Sequence, residues 1–204
     1  MAQNARRLGW TAVGVVIVAG PSGSGKSHLG ERLGWTVLRL DDFYRDGDDP
    51  DLPRSDLGIV DWDDPASWDA DAAVTAIREL VATGTTEVPV YDIALSRRTG
   101  THTVACRGPF IGEGLFAPEI VAACRAAGVL DDAVCLTRPR LLTFALRLRR
   151  DLREGRKPAL VLVRRGWRLM RDDPAVIARA VAAGCRPVTP AQAFAQLSGA
   201  VPSG

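Results

Sequence analysis

The chain has 204 residues, of which 47% are hydrophobic and 25% charged, with a formal net charge of +2; this is ordinary globular composition with room for one substantial core. So balanced a charge gives no support for nucleic acid or an anionic membrane as a partner. Cys106, Cys124, Cys135 and Cys185 are widely spaced, with no C-x-x-C pair and no histidine at ligand spacing, which argues against a structural zinc and for buried thiols in a reducing compartment.

Arg6 and Arg7 followed by an apolar run imitate a secretion signal. Cleavage near Gly20 would remove the strand that the next motif requires, so a cytoplasmic protein is expected. Thr11 to Ala19 is continuous, apolar and β-branched, the pattern of a parallel strand buried on both faces. Gly20-Pro21-Ser22-Gly23-Ser24-Gly25-Lys26-Ser27 then fills every fixed position of G-x-x-x-x-G-K-[ST]. In such a loop successive backbone N–H groups turn onto phosphate oxygens, the lysine meets the β and γ phosphates, and the serine hydroxyl ligates Mg²⁺. His28 to Leu33 is predicted as a helix stopped by Gly34, its positive end adding to the anion site. The predicted ATP contacts are therefore Gly20, Ser22, Gly23, Ser24, Gly25, Lys26, Ser27 and His28. Lys26 and Lys157 are the only lysines in a chain that otherwise uses arginine, so a compact ammonium is kept where phosphate chemistry needs one.

Thr36 to Leu40 is a second predicted strand, ending in Asp41-Asp42-Phe43-Tyr44-Arg45. Chemistry in open α/β sheets gathers at carboxyl ends of strands. An aspartate there serves either as a general base for a substrate hydroxyl or as a turn cap, and spacing leaves both open. Residues Gly47 to Trp68 are rich in proline and aspartate without periodicity, yet contain two tryptophans, which favours an ordered functional loop. Asp69 to Ala82 has helical spacing closed by Gly84, and Val88 to Asp92 with Thr101 to Cys106 suggests a hairpin over the sheet. Pro109 to Glu113 is a core strand whose terminal acid stands where a magnesium-side carboxylate belongs.

Pro118 to Ala127 is predicted helical and Ala133 to Thr137 a fourth core strand. Leu141 to Arg153 follows as a helix with Arg147 and Arg150 on one face, and Arg156, Lys157, Arg164, Arg165, Arg168 and Arg171 extend the positive density. Arginine-rich helices are commonly solvated faces, but this one follows the fourth strand of a nucleotide-binding pattern and suits a lid over ATP. Asp173-Pro174 is a helix-start signal for Ala175 to Ala183, with Gly184 as its stop. Arg186 to Val188 reads as an edge strand because of Pro187. Thr189-Pro190 caps a last helix through Leu197, before a loose tail. The acidic stretch from Arg45 to Asp71 and the arginine-rich stretch from Arg138 to Arg171 mark two functionally different regions.

Six of these pieces, GPSGSGKS, LDDFYRD, VDWDDPASWD, VPVYD with Arg98 following, IGEG and RLRRDLREGR, occur in an order that resembles the uridine kinase-like family of phosphate-loop kinases. They run from Gly20 to Arg156, about two thirds of the chain. The resemblance implies an α/β P-loop NTPase fold: a five-stranded parallel sheet flanked by helices, with a β-hairpin substrate insert at about 42–106 and an arginine-rich lid at about 141–172. One domain over 1–204 is expected. It further implies Asp41 as the carboxylate that activates an acceptor hydroxyl, Tyr44, Asp63, Tyr91 and Arg98 as acceptor contacts, Ser27 and Glu113 as the Mg²⁺ side, and Arg147, Arg150 and Arg156 as phosphate-embracing arginines. Lys26, Asp41, Arg147 and Arg150 are thereby the catalytic set.

Two departures stand in the hairpin. Ser96 replaces the histidine that reads the base in pyrimidine nucleoside kinases, and Ile93 replaces a neighbouring phenylalanine. The expected activity is transfer of the γ-phosphate of ATP to a small hydroxyl acceptor, a nucleoside first, with another alcohol (sugar, pantothenate-like or antibiotic) or a non-catalytic ATP-binding module as alternatives. Relatives often assemble, so a homo-oligomer is compatible.

Overall fold

The structure, a computed structural model, describes residues 14–154 and 159–199. Its centre is β1 (Val15–Ala19), five consecutive buried residues. Alternate side chains of a strand point to opposite faces, and here both faces are covered. Val15, Ile17 and Ala19 pack into one core with Leu38, Phe110 and Ile77. Val16 and Val18 enter a second core with Leu29, Ile111 and Leu197. The start of the predicted strand, Thr11 to Val13, lies outside the described residues.

Parallel neighbours flank this strand. β5 (Phe110–Glu113) pairs on one side and β6 (Leu130–Leu136) on the other; β2 (Val37–Arg39) and β7 (Arg186–Val188) close the edges, giving the order β2-β5-β1-β6-β7. Parallel pairing requires crossovers, and α1 (Lys26–Leu33), α2 (Ala70–Thr83), α3 (Val121–Ala126), α4 (Arg140–Glu154) and α5 (Ala159–Ala182) lie along them, while α6 (Pro190–Ser198) follows β7. The five-stranded parallel sheet expected from the sequence is present. Pro187 sits on the outer strand β7, as the missing N–H requires.

Local punctuation follows the chain's chemistry. Asp69 caps α2 by accepting from the Ala72 N–H, and Gly84 ends it in a left-handed conformation. Thr189 and Gln192 form a reciprocal capping box at α6. The hairpin of β3 (Thr85–Asp92) and β4 (Arg97–Ala105) forms a separate antiparallel sheet, longer than the sequence suggested.

One expectation is corrected. Asp173-Pro174 does not start a helix; Pro174 lies inside α5, which is continuous from Ala159 to Ala182. Interior proline removes a backbone hydrogen bond and costs about 3 kcal/mol. The compensation is tertiary: α5 packs on α4, with Asp173 and Ala180 buried.

The long irregular stretch from Gly47 is ordered by its own hydrogen bonds. An isolated bridge joins Arg54 to Val60 and another joins Tyr44 to Trp68. Trp68 is 3% exposed and its indole donates to the Leu40 carbonyl at 2.6 Å. Trp68→Phe removes this buried hydrogen bond, and should lower the unfolding free energy in a urea titration by about 1 kcal/mol.

Candidate active site

The phosphate loop leaves β1 at Gly20, whose φ is +133°. A Cβ at Gly20 would stand 2.6 Å from the Leu136 carbonyl oxygen of β6, so only glycine lets the loop turn back beside that strand. Gly25 begins α1 in a left-handed conformation, and no side chain caps the helix. The first-turn N–H groups thus remain available to an anion, as at phosphate-binding helix ends. Lys26 Nζ donates to the carbonyls of Gly20 at 2.8 Å and Pro21 at 3.3 Å, folding its charge over the loop.

Register brings the next group in. Val18 of β1 stands opposite Glu113 of β5 in the parallel ladder, so the two strands end level. Ser27 Oγ donates to Glu113 Oε1 at 2.9 Å. A hydroxyl and a carboxylate side by side are hard oxygen donors, which fit Mg²⁺ bound by few protein ligands together with phosphates. Among the described residues no cluster of three or more His, Cys, Asp or Glu side chains competes as a metal site.

β2 delivers the aspartate pair into a 3₁₀ turn over Leu40–Phe43. The two side chains diverge. Asp41 lines a cleft of about 770 Å³ together with Gly20, Lys26, Ser27 and Glu113. Its Oδ1 accepts the Leu115 N–H at 2.7 Å, and a Cβ at Gly114 would fall 2.8 Å from that oxygen. Asp42 is buried beside Arg39, at 3.6 Å. Burial pushes its carboxyl above the usual range, against the opposing pull of Arg39.

The four expected acceptor residues are not among those lining this cleft; Tyr44, Tyr91 and Arg98 meet beside the Asp41 turn. The Tyr44 ring meets Trp62, Tyr91 and Phe116 at centroid distances of 5.8, 5.6 and 5.8 Å. Its phenol is raised well above 10.0, first by burial and then by the charges of Asp41 and Asp63. Tyr44 donates to the Trp62 carbonyl at 3.4 Å and Tyr91 to the Arg45 carbonyl at 3.2 Å. Asp63 is exposed. Arg98 directs its guanidinium to the Tyr44 carbonyl (3.1 Å), the Phe43 carbonyl (3.5 Å) and Asp69 (3.4 Å). At the hairpin turn Ile93 is 83% exposed, and Ser96 adopts φ +50° with its hydroxyl donating to the Ile93 carbonyl at 3.5 Å.

His28 lines the cleft and stands 3.5 Å from Glu31. Arg147 and Arg150 are carried on α4, with their side chains outside the described part; Arg156 lies outside the described residues altogether. Three cleft residues were not predicted as site residues. Arg138, two residues beyond β6, donates from Nε to the Ser24 carbonyl at 2.8 Å. Asp173 contributes a buried carboxyl from α5. Gly114 gives Asp41 its space.

No protein-family model matches the chain. Sequence comparison finds the uridine kinase of Bacillus cereus strain AH187, 27% identical over 146 residues that make up 69% of this chain and 68% of the relative. The uridine kinase of Bacillus cytotoxicus (strain DSM 22905 / CIP 110041 / 391-98 / NVH 391-98) matches with the same identity and coverage. The chain is thus similar in sequence to these uridine kinases over about two thirds of its length. In structure it is similar to a Silicibacter sp. TM1040 protein provisionally named as a fructose transport system kinase, with TM-score 0.57, 18% identity, and coverage of 92% of this chain and 94% of that one. That likeness concerns the fold, which is the P-loop NTPase fold. No described helix is long and apolar enough to cross a membrane.

Asp42 supplies a stability test with a definite sign. Because its folded carboxyl holds a proton more tightly than the ordinary value of 3.8, its contribution to stability falls as pH rises from about that value. Asp42→Asn removes this slope. Urea titrations at about pH 4 and about pH 7 should show a smaller decline of unfolding free energy between them in the variant than in the parent.

Proposed function

We propose that this chain transfers the γ-phosphoryl group of ATP to a hydroxyl of a small molecule, with a nucleoside 5′-hydroxyl as first acceptor. The observation that carries the reading is that Asp41 lines the same cleft as Lys26 and the hydrogen-bonded Ser27–Glu113 pair. A base for the acceptor and a cradle for the donor thus face one space, which phosphoryl transfer requires above all else. The uridine kinases among its relatives support the acceptor class.

In this reading ATP lies along Gly20 to His28 with its phosphates at the start of α1. Lys26 moves from the Gly20 and Pro21 carbonyls onto the β and γ oxygens. Ser27 and Glu113 would hold Mg²⁺, whose charge would offset that on the transferring group. Asp41 orients the acceptor hydroxyl and takes its proton, with one oxygen fixed by the Leu115 N–H. Tyr44, Asp63 and Tyr91 frame the acceptor in the 42–106 insert. Arg147, Arg150 and Arg156 belong to a lid at about 141–172 that covers the phosphates.

A second reading keeps the donor side and changes the acceptor to another alcohol, such as a sugar. It is favoured by the hairpin turn, where Ile93 faces solvent and the Ser96 hydroxyl is turned back on its own backbone.

Asp41→Asn should lower kcat by about 10²- to 10⁴-fold while the Kd for ATP changes by less than about twofold. Gly114→Ala, which crowds Asp41, should act in the same direction by roughly 10-fold. An acceptor screen following ADP release, nucleosides first and then sugars and other alcohols, decides between the readings. Tight ATP binding without acceptor-stimulated ADP release would overturn both in favour of a nucleotide-gated module.

A further inference from the structure

Backbone carbonyls withdrawn from water must keep hydrogen-bond donors. Between Leu40 and Arg45 this demand is met by side chains from distant elements. The Leu40 carbonyl accepts from the Trp68 indole at 2.6 Å. The Phe43 carbonyl accepts from Arg98 Nη2 at 3.5 Å, besides the Asp69 N–H at 3.0 Å. The Tyr44 carbonyl accepts from Arg98 Nε at 3.1 Å, and the Arg45 carbonyl from the Tyr91 hydroxyl at 3.2 Å.

Arg98 is the hub of this arrangement. Its backbone N–H donates to Asp46 Oδ1 at 2.7 Å, and its guanidinium also meets Asp69 Oδ2 at 3.4 Å. Asp69 uses its other oxygen to cap α2. One residue of β4 thereby ties together the segment after Asp41, the start of α2 and the hairpin. Just before β4, the Ser96 carbonyl accepts the Gly47 N–H at 2.6 Å, so the hairpin docks on this segment a second time.

We propose that Arg98 is a positioning residue for Asp41 and not a contact of the acceptor. This rests on Asp41 being the base of the transfer reaction. Asp41 is fixed on one side by the Leu115 N–H; on the other side its turn is held through its backbone, and Arg98 supplies two of those holds. A planar guanidinium fork can serve two carbonyls and a carboxylate at once, which an ammonium on a flexible stem does poorly. Without it the Tyr44 carbonyl loses its donor, the turn relaxes and the Asp41 carboxylate leaves its line to the acceptor hydroxyl. Acceptor affinity stays unchanged in this proposal, because Nε and Nη2 are committed to the Tyr44 and Phe43 carbonyls and to Asp69.

The test compares the full chain with Arg98→Met, Arg98→Lys and Tyr91→Phe. In hydrogen exchange, peptides covering Leu40 to Asp46 should exchange at least about fivefold faster in Arg98→Met, with β1 peptides unchanged. With the acceptor found by screening, kcat should fall roughly 10- to 100-fold while KM for acceptor and for ATP stays within about twofold. Arg98→Lys should recover only a minor part of the loss, and Tyr91→Phe should shift both readouts the same way by less. Unchanged exchange in Leu40 to Asp46, or a raised acceptor KM with kcat retained, overturns the proposal. If Arg98→Met loses protection in β1 as well, Tyr91→Phe decides by the same criteria. Absence of turnover with every acceptor in the parent would overturn the kinase reading alone, since the exchange result judges Arg98 without it.

Discussion

The site depends on a register. Val18 lies opposite Glu113, and Val37 to Arg39 lie opposite Ile111 to Glu113, so three parallel strands end at one level. Side chains alternate along a strand, so a slip of one residue would send Glu113 into the sheet's other layer and away from Ser27. That register is held by burial: β1 and β5 bury Val15 to Val18, Phe110 and Ile111 completely. Fully burying one such side chain is worth about 1.5–3 kcal/mol, which makes any slipped pairing expensive. Precision at the phosphate loop is thus supplied by hydrophobic packing below it.

The phosphate-loop side and the Asp41 side are built on different principles. The loop consists of backbone N–H groups, glycines and a lysine at the end of a rigid strand. The Asp41 side is a segment whose carbonyls are captured one at a time by Trp68, Tyr91 and Arg98. Hydrogen bonds of that kind contribute about 1 kcal/mol each and cost more when broken singly. The turn bearing Asp41 is accordingly firm only as long as the hairpin stays docked. Docking of the hairpin and the position of Asp41 are therefore linked through shared structure.

Sequence reasoning reads the donor side well because its physics is local. Eight consecutive residues fix the loop, and an unbroken apolar run fixes the strand before it. Spacing alone could not separate Asp41 from Asp42, and only the family resemblance singled out Asp41, since which carboxylate faces the cleft is decided by a 3₁₀ turn and by Gly114 just beyond another strand. Arg138 and Asp173 were illegible for a related reason. Each reaches the cleft from an element distant in sequence, and neither belongs to a spacing pattern. Pro174 misled because proline is a strong local signal for a helix boundary, whereas packing between α4 and α5 overrides it. Arg98 was legible as a position, but the direction of its guanidinium, toward the Phe43 and Tyr44 carbonyls and Asp69, is set by tertiary contacts.

Pro187 has a consequence for how copies of this chain can meet. Val188 turns its carbonyl inward, accepting the Thr137 N–H at 2.9 Å, so the residue before it faces the open side of β7. That open side has proline at its centre, in a strand only three residues long. The outer edge therefore presents no N–H where an added strand would need one. Among the described residues, extension of the central sheet past β7 is thereby disfavoured.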